Sequence, residues 1–436
     1  MVMRNKGLAF LVLLSAWHAA AAAEPAPDVV QYRVAKGDSL YTLAQRYLLR
    51  PGDYRIVQRL NQVADPYRMP VATTLSIPRK LLRHEPVLAR VSAQRGAVQA
   101  RIAGRMFAVT NGMVLGEGAE LATGPNAFVT LRLPDGSIVT LPSQTRVTVD
   151  RLRRITLTGE IERRFRLLQG RTRSIVEPGT GAFEVSTPVA VAAVRGTEFR
   201  VAHDGDGRHS VTEVLAGEVA VAADGDEPQL TPGGFGTVVA EGRGSRTVKL
   251  LPAPSLLEPG RIQDGERLSF EIMPLADASS YRAQVAQDAG FLDLIAEGVS
   301  ATPRVDLPPI PDGSWFVRVS ALDGDGVEGF PETYSFERRL NRIETAMNER
   351  RSAEYREYLF RWDVQGEGSR RFRFQLSRVD TPGSPLVDEP GLTAQGFVIT
   401  DLPAGTYEWR VQTLQLVDGK AHVKWSRPER FTITSP

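Results

Sequence analysis

The sequence predicts a mainly β, multidomain protein: a small β-α-α-β module, then an all-β domain, then two tandem β-sandwiches. Three observations predict it. The chain has 436 residues, and at roughly 150 residues per domain that is about three units. Helical periodicity is concentrated between residues 40 and 61, whereas short apolar/polar alternation, the period of a half-buried strand, recurs from residue 90 onward. Two stretches of the C-terminal region resemble each other about ninety residues apart.

Composition narrows the chemistry. Apolar residues make up 42% and charged residues 24%, enough for globular cores and no sign of wholesale disorder. Cysteine is absent. This excludes a disulfide framework, a thiolate zinc site, a cysteine nucleophile and a lipidated cysteine. Residues 1–23 have the form of a signal peptide: Arg4 and Lys6, then an apolar run from Leu8 to Ala16, then small residues from Ala19 to Ala23. Cleavage after Ala23 is expected, and the mature protein should act outside the cytoplasm, in the periplasm. The 53 basic residues less Arg4 and Lys6 balance the 51 acidic ones. A neutral mature chain argues against general nucleic-acid binding.

The first module spans residues 30–80. Gln31 to Val34 alternates as a strand, and Lys36-Gly37-Asp38-Ser39 forms a turn into a helix that either Asp38 or Ser39 can cap. Leu40, Leu43, Ala44 and Tyr47 recur at helical spacing, and Pro51-Gly52 ends that helix. Tyr54, Ile56, Val57 and Leu60 suggest a second short helix. Leu75-Ser76-Ile77 alternates as a closing strand, stopped by Pro78. This order resembles a LysM domain, on Tyr32 to Leu40, Ile56 to Asn61 and Met69 to Pro78. The resemblance implies binding to peptidoglycan or a related N-acetylglucosamine polymer, in a shallow groove between two loops. Carried over, the glycan-binding residues are Gly37, Asp38, Ser39, Leu40, Met69, Pro70, Val71 and Ala72. The family often has glycine where this chain has Ala72; a turn needing positive φ is strained there.

Residues 90–250 read as an all-β domain of short strands. Val129 to Leu133 and Ser137 to Leu141 flank Pro134-Asp135-Gly136, a hairpin signal, and Phe199 to Val201 and His209 to Leu215 flank a second. Phe183 to Pro188, Val194 to Phe199 and Leu133 to Ser137 resemble a FecR-type domain, over most of residues 92–222. Named members of that family are periplasmic sensors that control sigma factors; the cytoplasmic segment and internal membrane helix of that role are not seen in this sequence, so the resemblance implies the fold and the compartment rather than the signalling activity. Arg195 is expected to pair with Glu198 or another carboxylate. Residues 146–173 hold nine arginines against three acidic residues. A stripe for polyanions is one reading; a strand pair with a solvated arginine face is the favoured one.

The repeat lies in residues 255–337 and 355–436. Each copy has aromatic-bearing alternating strands, such as Trp315-Phe316-Val317 and Tyr407-Glu408-Trp409. The pair resembles fibronectin type III-like or immunoglobulin-like sandwiches. Residues 338–354, with Ile343 and Met347 four apart, are expected to form a helical linker. Trp315, Trp362, Trp409 and Trp425 are expected in cores rather than as sugar platforms.

No motif for catalysis stands out: neither G-x-S-x-G nor H-E-x-x-H occurs. Asp204-Gly205-Asp206-Gly207 and Asp323-Gly324-Asp325-Gly326 lack the closing glutamate of a calcium loop and suit hairpin turns. No cofactor, metal or catalytic residue is expected. The leading expectation is a non-catalytic, peptidoglycan-binding periplasmic scaffold that docks an envelope protein partner. Its alternatives are a FecR-like envelope sensor in signal transduction and a cell-wall hydrolase.

Overall fold

The computed structural model describes residues 29–179, 181–194, 196–205, 208–223, 226–351, 355–381, 383–417 and 419–434. The expected signal peptide, Arg195, Asp206 and Gly207 lie outside the described residues. Strands dominate, so the mainly β expectation holds. No helix among the described residues is long and apolar enough to cross a membrane. There are two compact bodies. Of the described residues, one comprises those from 29 to 84 together with Ile155–Gly159; the other comprises Glu85–Arg154 and those from Glu160 to 434.

The first body is β-α-α-β. Strand β1 (Val29–Arg33) pairs antiparallel with β2 (Thr74–Pro78), placing Val30 opposite Ile77 and Tyr32 opposite Leu75. Helix α1 (Leu40–Tyr47) buries Leu40, Leu43 and Ala44. Of the two candidate caps, Ser39 is the one used. Its Oγ accepts from the Thr42 amide at 3.1 Å, and Thr42 Oγ1 accepts from the Ser39 amide at 2.9 Å. This reciprocal pair satisfies two amides that no helical carbonyl reaches. Helix α2 (Tyr54–Leu60) ends at Asn61, whose side chain donates to Ser76 O at 2.9 Å and accepts from the Ser76 amide at 2.7 Å.

The module boundary at residue 80 is too short. Leu81, Leu82 and Ile155 sit in the same buried core as Val30, Leu43, Val57 and Ile77, with Leu157 packed against it. Thr156 donates from its amide and its hydroxyl to Arg83 O, at 3.1 and 3.0 Å. Fifty residues bury too small a fraction of their surface to be comfortably stable. The apolar turn at 155–159 supplies the missing wall.

In the second body, strands between residues 89 and 249 pair into a closed barrel around a core of Val, Leu and Phe. Both predicted hairpins form, with Ile138 opposite Arg132 and Val201 opposite Thr212. The fifteen-residue strand Ile161–Ile175 organises the barrel. Its first half pairs with Arg146–Ile155 and, in parallel, with Phe183–Ser186; its second half pairs with Glu198–His203. Gly170 lies between the halves at φ +91°, where a Cβ would come within 2.6 Å of Thr145 Oγ1. Only glycine permits both the dihedral and the approach.

Several arginines of the arginine-rich strand pair meet carboxylates nearby. Arg153 meets Glu162 at 2.7 Å, Arg164 meets Glu184 at 2.5 Å and Arg166 meets Asp150 at 2.6 Å. Glu198, the expected partner of Arg195, is held by Arg173 at 2.7 Å. Fully buried Arg163 pairs with Asp135 and donates to Gly181 O at 2.6 Å. Asp135 therefore anchors its hairpin to the barrel rather than facing solvent.

Two sandwiches follow. The first packs the pair Leu268–Glu271 and Arg304–Leu307 against a four-stranded sheet, over a core that includes Phe270, Tyr281, Val317 and Phe336. The second packs three strands against a larger sheet, over Tyr358, Phe360, Trp362, Phe374, Tyr407 and Trp409. Trp362 and Trp409 are core, as expected. Trp315 packs at the edge of its core, and the Arg410 guanidinium lies 4.2 Å over the Trp425 ring.

The expected helical linker at 338–354 is not a helix. Residues Arg342–Arg351 form a strand paired over its whole length with Arg356–Gln365. A spacing of four, as between Ile343 and Met347, fits period 2 as well as period 3.6. Thr345 completes the period-2 set, and the partner strand decides the outcome. The second sandwich thus begins at residue 342 rather than 355.

Candidate functional site

Two places gather polar groups. The first is one end of the β-α-α-β module. The Leu40 amide donates to Pro66 O at 2.9 Å, and Ala72 N donates to Val34 O at 2.8 Å, so the two loops singled out from the sequence lie side by side. Gly37 (φ +91°), Pro70, Val71 and Ala72 are exposed; Asp38, Ser39 and Met69 are half-buried. Leu40 is buried core and its amide is engaged, so it offers no surface. Ser39 is occupied in the cap. Asp38 accepts from Tyr32 OH at 2.7 Å and from the Ala35 amide at 2.8 Å. Burial and that bond to Asp38 push the Tyr32 hydroxyl up to about 12, so it stays a donor at neutral pH. Ala72 has φ +71°, the strain expected where glycine is absent.

Two residues at this end are not among those the sequence pattern marks. Tyr41 and Tyr67 are 42% and 66% exposed, with ring centroids 6.2 Å apart, and Val71 nearby in sequence is 61% exposed. Exposed rings with a polar tip suit the mixed apolar and hydroxylated faces of a sugar. The one signal for them in the sequence is the position of Tyr41, two residues after the capping Ser39.

The second place lies within the second body, where the barrel meets the first sandwich. Glu328, from the sandwich, is the centre. Its carboxylate accepts from Arg200 at 3.0 Å, Arg171 at 3.1 Å and Ser320 Oγ at 2.7 Å, and its amide donates to Glu213 Oε1 at 3.0 Å. Arg282 approaches it at 3.4 Å and holds Glu297 at 2.5 Å. Glu297 in turn accepts from the Ser143 amide of the barrel at 2.8 Å. Apolar contacts flank the ions: Phe128 with Phe291 and Leu294, and Val211 and Val238 with Val327.

The electrostatics follow from burial. Desolvation raises the fully buried Glu213 carboxyl above its ordinary value, against Arg200 and Arg171. Desolvation also opposes the charge on Glu328, but Arg200, Arg282 and Arg171 outweigh it and hold that carboxyl far below the usual range. Arg318, which donates to Gln284 Oε1 at 2.6 Å and lies 4.3 Å from the Phe291 ring, is brought down to about 9 by burial and by Arg173. Beside this network is a cavity of about 670 Å³, lined by Ser143, Gln144, Gln169, Arg171, Arg282 and Glu297 among others.

The middle of the chain has a family match. Residues 119–220 fit the family model described as FecR protein, a span that includes Arg171, Arg200 and Glu213. Among curated proteins, none matches the chain. Solved structures similar to parts of it include a protein assigned as an anti-sigma factor from Parabacteroides distasonis. That structure is 20% identical at a TM-score of 0.26, over 30% of this chain and 59% of that one. The chain thus spans less than two thirds of that structure. A two-domain fibronectin type III segment of chicken tenascin is 12% identical at a TM-score of 0.22, over 43% of this chain and 100% of that one. The fibronectin(III)-like modules of Clostridium thermocellum CbhA are 13% identical at 0.19, over 41% and 90%.

Proposed function

We propose that the chain is a non-enzymatic sensor of the bacterial envelope, which receives a signal in its FecR domain and passes it to a protein partner. The match of residues 119–220 to the FecR family carries this reading. The buried network supports it physically. A rearrangement in the barrel at Arg200 or Glu213 changes the surroundings of Glu328 in the sandwich, because packed charged groups move between discrete arrangements. Loss of the protein is expected to change a compact set of transcripts under one alternative sigma factor, restored by the intact chain. A transcript profile indifferent to both loss and overproduction would sink the sensor reading.

A second reading concerns placement rather than signalling: the N-terminal module holds the chain on N-acetylglucosamine-containing wall glycan. The adjoining loops and the Tyr41–Tyr67 pair favour it. Weak affinity at a single site suffices where a polymer offers many sites. Tyr67→Ala combined with Val71→Asp, both at exposed positions, should cut retention on insoluble peptidoglycan about 3- to 10-fold, the worth of one lost aromatic contact. Undiminished retention of that double variant would remove the assignment.

A further inference from the structure

We infer that the first body docks on the surface of an anionic phospholipid bilayer through the outer face of helix α2. The first observation is a charge asymmetry along the chain. Residues 29–84 hold ten Lys and Arg against Asp38, Asp53 and Asp65, a net charge of +7 with His neutral. Residues 85–436 hold 41 such cations against 46 Asp and Glu. A neutral mature chain thus contains one strongly basic module, and an approaching charged surface responds to that local field rather than to the average. Arg46, Arg50, Arg55 and Arg59 are exposed, and among the described residues none of them meets a carboxylate. Two of the three acids are held elsewhere. Asp38 accepts from Tyr32 and from the Ala35 amide, and Asp65 accepts from the Tyr67 amide at 2.9 Å.

The second observation is what accompanies these cations. Helix α2 packs inward through Val57, with Tyr54 and Gln58 half-buried beside it. At about 100° per residue, Arg55, Arg59, Ile56 and Leu60 span the opposite arc, the arginines on one flank and the apolar pair on the other. Ile56 is 38% exposed and Leu60 is 43% exposed. Two arginines one turn apart, beside two apolar side chains one turn apart, match the boundary layer of a bilayer. The guanidinium groups meet phosphate oxygens, and the apolar pair enters between the headgroups. A polyanion in water answers the arginines but leaves Ile56 and Leu60 without a partner. Charge and apolar surface together therefore select the bilayer. Docking of this kind is peripheral, since no helix among the described residues is long and apolar enough to span a membrane.

This docking uses neither the FecR domain nor the glycan loops, so its failure and the failure of either function reading are distinguishable. Co-sedimentation with vesicles provides the test. The chain from Glu24 onward is used, so that the apolar run from Leu8 to Ala16 does not contribute. Vesicles of phosphatidylcholine mixed equally with phosphatidylglycerol are compared with phosphatidylcholine alone. Binding to the anionic vesicles is expected to be at least about tenfold tighter and to weaken as salt is raised. Arg55→Glu with Arg59→Glu should weaken it about 20-fold or more, at about fivefold per basic residue near an anionic surface. Ile56→Ser with Leu60→Ser keeps every charge and should weaken it about 3- to 10-fold. All four positions are exposed, so these variants should fold. Leu230→Ser removes an apolar side chain that is 60% exposed in the second body and should leave binding unchanged. No binding, equal binding to neutral vesicles, or binding indifferent to the arginine pair overturns the inference. Full binding after loss of Ile56 and Leu60 overturns it too, and marks a general polyanion site, such as one for acidic wall peptides.

Discussion

Replacing Glu328 by alanine is expected to destabilise the second body by about 3–5 kcal/mol, the cost of stranding a buried charge. The reason is the number of donors left behind. Arg200, Arg171, Arg282 and Ser320 all point at that one carboxylate. Truncation leaves Arg200, Arg171 and Arg282 to share only Glu213 and Glu297, three cations against two carboxylates in a largely buried setting. Urea unfolding followed by tryptophan fluorescence measures the loss. The double variant Arg200→Met with Glu328→Leu should recover part of it, because an apolar pair of similar volume avoids the orphaned ions. A loss below about 1 kcal/mol would mean that the network is solvated and does not join barrel to sandwich.

Phe374→Ala should cost a similar amount, about 3–5 kcal/mol, by a different route. Phe374 is 0% exposed. Its ring centroid lies 4.9 Å from Phe360, 4.8 Å from Phe397 and 5.9 Å from Trp409, so truncation opens a cavity between rings that cannot all close in. Hydrogen exchange should locate the loss in the second sandwich. Glu328 and Phe374 share no described partner, so their effects should add to within about 0.5 kcal/mol. Strong coupling between them would show that the two sandwiches unfold as one unit.

Strands with clean alternation and a glycine-containing turn are legible in the amino-acid sequence. The hairpin around Pro134-Asp135-Gly136 forms in the expected register because its turn chemistry and its apolar faces agree. Arg342–Arg351 is not legible as a strand. Its apolar spacing satisfies two periods, and the deciding ten-residue partner comes later in the chain. The buried ion cluster is harder still. Arg171 and Glu328 are 157 positions apart, and neither carries a motif. A trace is present in Phe199-Arg200-Val201 and Thr212-Glu213-Val214, where a charge interrupts otherwise apolar or β-branched strands. Such an interruption says that a partner exists without saying where it is. At the module's candidate site, loop proximity follows from the element order. The fate of each side chain does not: Leu40 goes to the core because its helical spacing matches Leu43 and Ala44.

The borrowed turn at Ile155–Gly159 has a consequence for biosynthesis. The first body is encoded at the beginning of the chain, yet Ile155 of its core is made long after His84. At translation rates of about 5–20 residues per second, the nascent module waits on the order of ten seconds with that wall open. Its apolar residues are accessible to chaperones or export factors throughout that interval. Completion of the module is thereby timed by synthesis of the barrel's longest hairpin.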